Sequence, residues 1–174
     1  MPLPMRSIYL AGFDVFRPDA QAYGTELQAL CAQYGYNGLF PLDNTAPAGL
    51  SGQALAQWIF EANLALLDSA DMVMANLNDF RGMEPDSGTC FEVGYAAARR
   101  IPVWAYTADG KPLVEQCAVQ TRADGIALDA NGMTVEDFGL PRNLMLACAA
   151  TIVIGDARVC LARMAAHDES LARD

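Results

Sequence analysis

Short apolar runs alternate along the chain with longer segments whose apolar residues recur at helical spacing. Ser7–Ala11 (SIYLA) reads as a buried strand ending at Gly12. Asp19–Tyr34 predicts a helix with Gly35 as its stop. Tyr36–Phe40 predicts a second strand, with Pro41–Asn44 (PLDN) as its exit turn. Gly52–Asp68 is a helix with Trp58, Ala62 and Ala65 on one face. Asp71–Leu77 predicts the third strand, Gly88–Arg100 the third helix and Ile101–Tyr106 the fourth strand. Thr107–Gly139 reads as mixed loop, its turns marked by glycine and proline. Leu140–Ala149 predicts a short helix, Thr151–Ile154 the fifth strand and Ala157–Ala166 the last helix.

No repeat, linker or low-complexity segment interrupts this alternation, so residues 1–174 read as a single domain with a sizeable core. Strand–helix alternation implies a parallel sheet with helices on both faces. Five strands suit a doubly wound, flavodoxin-like α/β fold of order 2-1-3-4-5. Its switch point lies between the first and third strands, whose exits carry Gly12–Phe16 and Asn76–Glu92.

Composition narrows the function. Hydrophobic residues make up 53% of the chain, so the interior is well supplied. No apolar run reaches the roughly 18 residues a membrane span needs. The N-terminal MPLPMRSIYLAG has no long apolar core before a cleavage site, so a cytoplasmic protein is expected. Cys31, Cys90, Cys117, Cys148 and Cys160 are odd in number and form no CxxC pair, which points to reduced thiols. The net charge of −10, with Lys111 the single lysine, argues against a nucleic-acid polymer as partner and against a P-loop. The lone histidine, His167, lies in a polar tail and reads as a solvated surface residue. A histidine-dependent triad and a multi-histidine metal site are not expected.

The candidate chemistry lies in Asp71–Tyr95, DMVMANLNDFRGMEPDSGTCFEVGY. This stretch begins as an apolar strand, passes through a polar loop and enters a helix at Ser87–Gly88. Asp86 and Glu92 sit at that junction, at the carboxyl end of a strand, where open α/β sheets bind small molecules. With Glu92 in the first helical turn, the helix dipole favours its ionised form by about 0.3–1 kcal/mol. The pair therefore offers a charged carboxylate nucleophile or base with a second carboxylate beside it. A plainer reading exists for each. Thr89-x-x-Glu92 fits a capping box, and Asp86 fits a turn residue after Pro85. Cys90, with no histidine partner, reads as a buried small residue. Arg81 reads equally as a substrate contact or a solvated loop charge.

The wider pattern tips the balance. IYLAG at Ile8–Gly12 is followed by DVF at Asp14–Phe16, PLDN at Pro41–Asn44 and Asn63 in the second helix. FRGMEPDSGTCFEVGYA at Phe80–Ala96 and GLPRNLML at Gly139–Leu146 complete the set. Over roughly Ile8 to Ile154, these motifs resemble the nucleoside 2-deoxyribosyltransferase family. The Asp-x-Gly-Thr-x-x-Glu-x-Gly block is the most specific of them. The resemblance implies that a glutamate attacks the anomeric carbon of a 2'-deoxynucleoside, forms a covalent deoxyribosyl-enzyme and passes the sugar to a second nucleobase. By position the nucleophile is Glu92, Asp86 contacts the base and moves its proton, and Tyr9 orients Glu92 by a hydrogen bond. Asn63 matches a base-contacting position, and Asp43 and Asn44 lie in a turn that helps form the pocket. Gly12, Phe13, Phe16 and Gly88, at the strand exits and helix start, complete the expected substrate-binding set. Phe13 stands where many relatives have proline. Asn143 and Met145 match residues that reach the neighbouring subunit's site, which implies a homo-oligomer. No metal or cofactor is implied. The expected partners are deoxynucleosides and free nucleobases.

The physical logic agrees. Cleaving an N-glycosidic bond generates oxocarbenium character that a carboxylate can stabilise and bond to, as in retaining glycosidases. The leaving base needs a proton, so Asp86 is expected to hold one, with a raised pKa beside Glu92. Two alternatives remain: an N-glycosidic hydrolase of deoxynucleosides or deoxynucleotides, and a catalytically silent nucleoside-sensing module. AGFDVF offers few phosphate donors, with Arg17 the nearby cation in sequence, which favours free nucleosides. Purine and pyrimidine bases remain equally open.

Overall fold

The central sheet grows outward from its first strand. In the computed structural model, which describes residues 5–172, β1 (Ser7–Ala11) is followed by α1 (Ala20–Gln33), β2 (Asn37–Leu39), α2 (Gly52–Asp68) and β3 (Met72–Asn76). Then come α3 (Ser87–Ala98), β4 (Val103–Thr107), α4 (Leu113–Cys117), β5 (Gln120–Thr121) and β6 (Ala127–Leu128). The chain ends in α5 (Leu144–Ala147), β7 (Thr151–Ile154) and α6 (Ala157–Leu171). Single 3-10 turns at Phe13–Phe16 and Pro41–Asp43 leave β1 and β2. Residues 1–4, the start of the N-terminal stretch considered above, lie outside the described residues, as do 173–174.

The large sheet is five-stranded and parallel, in the order β2-β1-β3-β4-β7. This is the expected flavodoxin-like order, with β7 as the fifth strand. Side chains alternate between two apolar layers, as a sheet covered on both faces requires. Ile8, Leu10, Met72, Met74, Tyr106 and Val153 pack with Leu27 and Cys31 of α1 and with Cys160, Leu161 and Met164 of α6. Tyr9, Ala11, Val73, Ala75 and Ala105 face the other way, onto Leu67, Val93, Ala96 and Leu146 from α2, α3 and α5. Burying one such aliphatic side chain contributes about 1.5–3 kcal/mol, so the two layers dominate the stability of the fold. α1 ends as foreseen. Gly35 takes φ +82°, its N–H bonds to the Ala32 carbonyl, and the Tyr36 N–H reaches back to Cys31. All five cysteines are free. Among the described residues no helix is long and apolar enough to cross a membrane.

Three expectations change. The segment expected as mixed loop, Thr107–Gly139, holds α4 and a small antiparallel hairpin of β5 on β6. Asp124-Gly125 turns that hairpin, with Gly125 at φ +85°. The helix expected over Leu140–Ala149 shrinks to Leu144–Ala147, because Pro141 keeps Leu140 extended-prone and Asn143 becomes the cap. The last helix runs on to Leu171, because its polar end is tied down. Arg6 and the Tyr36 hydroxyl both donate to Asp168, at 2.7 and 2.8 Å.

The sheet's carboxyl edge is fastened by a buried cation. Arg142 is 1% exposed. Its guanidinium donates to the Leu77 carbonyl and the Thr107 hydroxyl, each at 2.7 Å, and to Gln116 at 3.0 Å. It also pairs with half-exposed Asp79 at 2.9 Å. One side chain thus joins the exits of β3 and β4 to α4 and the start of α5. Arg142→Ala should orphan two buried acceptors, at about 1–3 kcal/mol each. Chemical denaturation should show a correspondingly lower midpoint, and a loss below about 0.5 kcal/mol would contradict this role.

Candidate active site

A cavity of about 390 Å³ opens at the carboxyl ends of β1 and β3, the switch point of the sheet. The exit of β1 supplies Gly12, Val15 and Phe16, and the exit of β2 supplies Pro41, Leu42, Asn44 and Ala46. Trp58, Ile59 and Asn63 of α2 form a second wall, and Asp86, Gly88, Thr89 and Glu92 form the third.

The carboxylates are held differently. Asp86 is the N-cap of α3: its Oδ2 accepts from the Thr89 N–H at 3.0 Å and the Thr89 hydroxyl at 3.1 Å. The capping box of the plainer reading, from Thr89 to Glu92, is therefore not formed, because the cap is Asp86, three residues before Thr89. That cap position puts Glu92 in the second turn, beyond the range where the helix dipole acts strongly. The side chain of Glu92 is instead met by Tyr9, a fully buried residue in the middle of β1, whose hydroxyl donates to Glu92 Oε1 at 2.5 Å. Among the described residues, Asp86 Oδ1 and Glu92 Oε2 take no hydrogen bond, so each carboxylate has one oxygen pinned and one free.

Burial, the dominant effect, pushes the Glu92 carboxyl up to about 7. The Tyr9 hydrogen bond opposes that rise, and the nearby Asp86 charge adds to it. This corrects the expectation of a glutamate kept fully ionised by the helix start, since desolvation outweighs the dipole. The Tyr9 hydroxyl is pushed far above its ordinary value, first by burial and then by the Glu92 charge, so it stays a donor.

A further carboxyl lies under the rim. Asp14 is buried, and burial raises its pKa. Its Oδ2 accepts from Asn76 at 2.9 Å, and Asn76 in turn accepts from Asn78 at 2.7 Å. A Cβ on Gly12 would sit 2.9 Å from Asp14 Oδ2 and 3.0 Å from the Asn76 Cβ, so the rim closes over this pair only with glycine there.

Of the residues expected at the site, Tyr9, Glu92, Asp86, Asn63, Asn44, Gly12, Phe16 and Gly88 converge here. Four do not line this cavity. The ring of Phe13 stacks on Phe80 at 5.0 Å, where Phe16 stacks too, at 5.3 Å. Asp43 clamps its own turn, accepting from the Phe40 N–H at 3.0 Å and from Gln28 at 2.7 Å. Asn143 caps α5 and donates to Glu136 at 2.5 Å. Met145, next to it, is 72% exposed. Arg81 lies over the Phe80 ring at 4.6 Å and the Phe16 ring at 5.2 Å. Cys90 is partly buried, and burial raises its thiol pKa.

The sequence reading missed Val15, Leu42, Trp58 and Ile59 as cavity walls. Trp58 shares one face of the helix with Ala62 and Ala65, a pattern that does not tell a cavity wall from a core stripe. The i, i+4 pair Ile59/Asn63 was the available signal, because it puts an apolar and an amide group on one face. Among the described residues no group of His, Cys, Asp and Glu side chains could hold a metal ion.

The fold and the cavity together define an α/β protein whose small-molecule site is built around two carboxylates and a tyrosine. The family model for nucleoside 2-deoxyribosyltransferase matches residues 8–145, and the chain belongs to that family. It is 31% identical over 161 residues to an uncharacterized protein of Schizosaccharomyces pombe, covering 83% of this chain and 76% of that protein. It is similar to the structure of a 2-desoxiribosyltransferase from Leishmania mexicana, with 34% identity, a TM-score of 0.74, and 93% of this chain and 98% of that one covered. A conserved protein from Enterococcus faecalis V583 shares the fold, at 21% identity and a TM-score of 0.58, over 96% of this chain and 99% of that one.

The Tyr9–Glu92 bond makes a pH prediction. A hydrogen bond donated to the ionised carboxylate favours it, so its loss raises the Glu92 pKa further above about 7. With Glu92 in the expected role of nucleophile it must be ionised to react, so turnover should rise with pH through that value. Tyr9→Phe should move the acid limb of kcat/KM to higher pH; an unmoved or lowered limb would overturn the assignment.

Proposed function

We propose that this chain transfers 2-deoxyribose from a 2'-deoxynucleoside to another free nucleobase through a covalent bond to Glu92. The observation that carries the reading is the free Glu92 Oε2 facing the same cavity as Asp86 while Tyr9 holds Oε1. In the first step Oε2 bonds to the anomeric carbon as the N-glycosidic bond breaks. The electron pair goes to the base nitrogen, and a proton carried by Asp86 neutralises it. In the second step the incoming base returns its proton to Asp86 and displaces Glu92, so two inversions restore the original configuration. Family membership and the likeness to the Leishmania protein support transfer. A 2'-hydroxyl would withdraw electrons from the developing oxocarbenium centre, so 2'-deoxy substrates are favoured. Moving deoxyribose between bases fits a role in nucleotide salvage.

The test is direct. Incubated with one deoxynucleoside and a second free base, the protein should form the new nucleoside. Free sugar instead would mean hydrolysis, and no turnover a binding module. With donor and no acceptor, intact-mass spectra should show a deoxyribosyl adduct on Glu92. Glu92→Gln keeps the shape and removes the charge, and should abolish both adduct and transfer. Near-normal rates in that variant would sink the mechanism.

We further propose that a second subunit completes the site. Ile59 and Phe60 of α2, each 45% exposed, and Phe91 of α3, 50% exposed, leave an apolar surface beside the cavity. Asn143 and Met145 lie outside their own chain's cavity, as residues serving a neighbour would. Glu92→Ala and Asn143→Ala should each be weak or inactive alone. Refolded together they should regain part of the activity, because a hybrid dimer holds one site with both native residues. A fully active monomer in sedimentation would rule out the shared site.

A further inference from the structure

The cavity walls carry two kinds of aromatic residue. The ring of Phe16 is already engaged, stacked on Phe80 at 5.3 Å and covered by the Arg81 guanidinium at 5.2 Å. Trp58 is different. It lines the cavity, yet its ring makes no aromatic or cation contact with any described residue, and its indole N–H makes no hydrogen bond. It belongs to neither of the two apolar layers of the core. Of the residues of α2, Leu67 is the one that is buried, and Trp58 remains half-buried in the wall. A large aromatic ring left with an open face in a cavity is a site for another flat ring.

The rest of that wall sharpens the point. Leu42, Ala46 and Ile59 beside Trp58 offer no polar atoms from their side chains. The groups that can read a base edge, Asn63 and Asp86, come from other positions around the cavity. We propose that Trp58 is the stacking platform for the nucleobase and that it tilts the site toward purines over pyrimidines. The inference rests on the reading that this cavity takes nucleosides. Base–aromatic stacking tolerates every base because each has a π face. The two-ring purine covers more of an indole than a single pyrimidine ring does, so it gains more dispersion and buries more apolar surface. Such a residue acts through substrate affinity, whereas Glu92 and Asp86 act on the reacting bond.

The experiment measures binding without turnover. In a Glu92→Gln background, 2'-deoxyadenosine and 2'-deoxycytidine are titrated by calorimetry and by tryptophan fluorescence into the otherwise native chain, Trp58→Phe and Trp58→Leu. The other tryptophan, Trp104, packs against the opposite sheet face beside His167, so cavity binding should quench Trp58 and not Trp104. Trp58→Leu should weaken deoxyadenosine about 10- to 100-fold, the size of a lost base–aromatic stack, and deoxycytidine by less. Trp58→Phe, which keeps a π face, should fall between, and the quench by deoxyadenosine should vanish from its spectrum. With Glu92 restored, kcat at saturating deoxyadenosine should stay within about threefold in both variants while KM rises. Equal weakening for the two nucleosides, or unchanged affinity in Trp58→Leu, would overturn the proposal. The two readings fail separately. Quenching that depends on Trp58 in a protein without turnover would keep the platform and remove the transferase. Normal transfer with no Trp58-dependent affinity would do the reverse.

Discussion

The hydrogen bond from the Tyr9 hydroxyl to Glu92 ties the middle of β1 to the second turn of α3, across 83 positions of sequence. Its consequence is a balance. A carboxylate buried with no donor would stay neutral near pH 7 and could not attack, whereas one surrounded by donors would be fully ionised but poorly nucleophilic. Glu92 has one donor on one oxygen, and its pKa settles at about 7. The remaining oxygen faces the cavity with its lone pairs unused. Burial sets the direction of that shift, and the one contact between strand and helix limits it while fixing how the carboxylate is turned.

That contact works only if the strand exits hold their positions, and two polar chains see to it. Asp14, Asn76 and Asn78 link the exit of β1 to that of β3, and Asn78 accepts from the Ala108 N–H at 2.8 Å beyond β4. Arg142 binds the neighbouring residues, Leu77 and Asp79. The last residue of β3 and the three that follow it, Asn76 to Asp79, are each fastened by a polar contact. Polar groups at this depth are costly when unpaired, and among the described residues no buried side-chain polar atom lacks a partner. The loop that carries Asp86 to the helix leaves from a fixed point.

Much of this was legible in the sequence because the signals were of the strongest kind. Strands buried on both faces read as continuous apolar runs, so SIYLA and DMVMANL stood out and the sheet order followed from their alternation with helices. Gly35 marked a helix end because a left-handed residue was needed there. The hairpin of β5 and β6 was hidden because its strands are two residues each, too short for any periodicity, although Asp124-Gly125 was a turn signal in plain view. The helix start was expected within one residue of where it falls, but Glu92, five residues beyond Ser87, belongs to the second turn rather than the first. Asp86 caps that start with its own carboxylate.

The site was legible as a set of polar residues and illegible as a cavity. Tyr9, Asp86 and Glu92 could be named from motifs, since chemistry restricts which residue types serve. The walls could not, because Leu42, Trp58 and Ile59 have the same composition as a core. Apolar side chains on a helix ordinarily pack against the sheet, and the rule fails for α2 at the end that leans over the cavity. Only its last turn reaches the sheet layer, through Leu67, which packs with Val73 and Val93. In the preceding turns Trp58, Ile59 and Asn63 line the cavity instead. An apolar helix that buries one residue is stable only if something else covers the remainder. In the proposals above, a flat base against Trp58 would cover the inner side, and a second subunit against Phe60 and Phe91 the outer one. Substrate and partner would then meet on the same helix, which would couple assembly to binding.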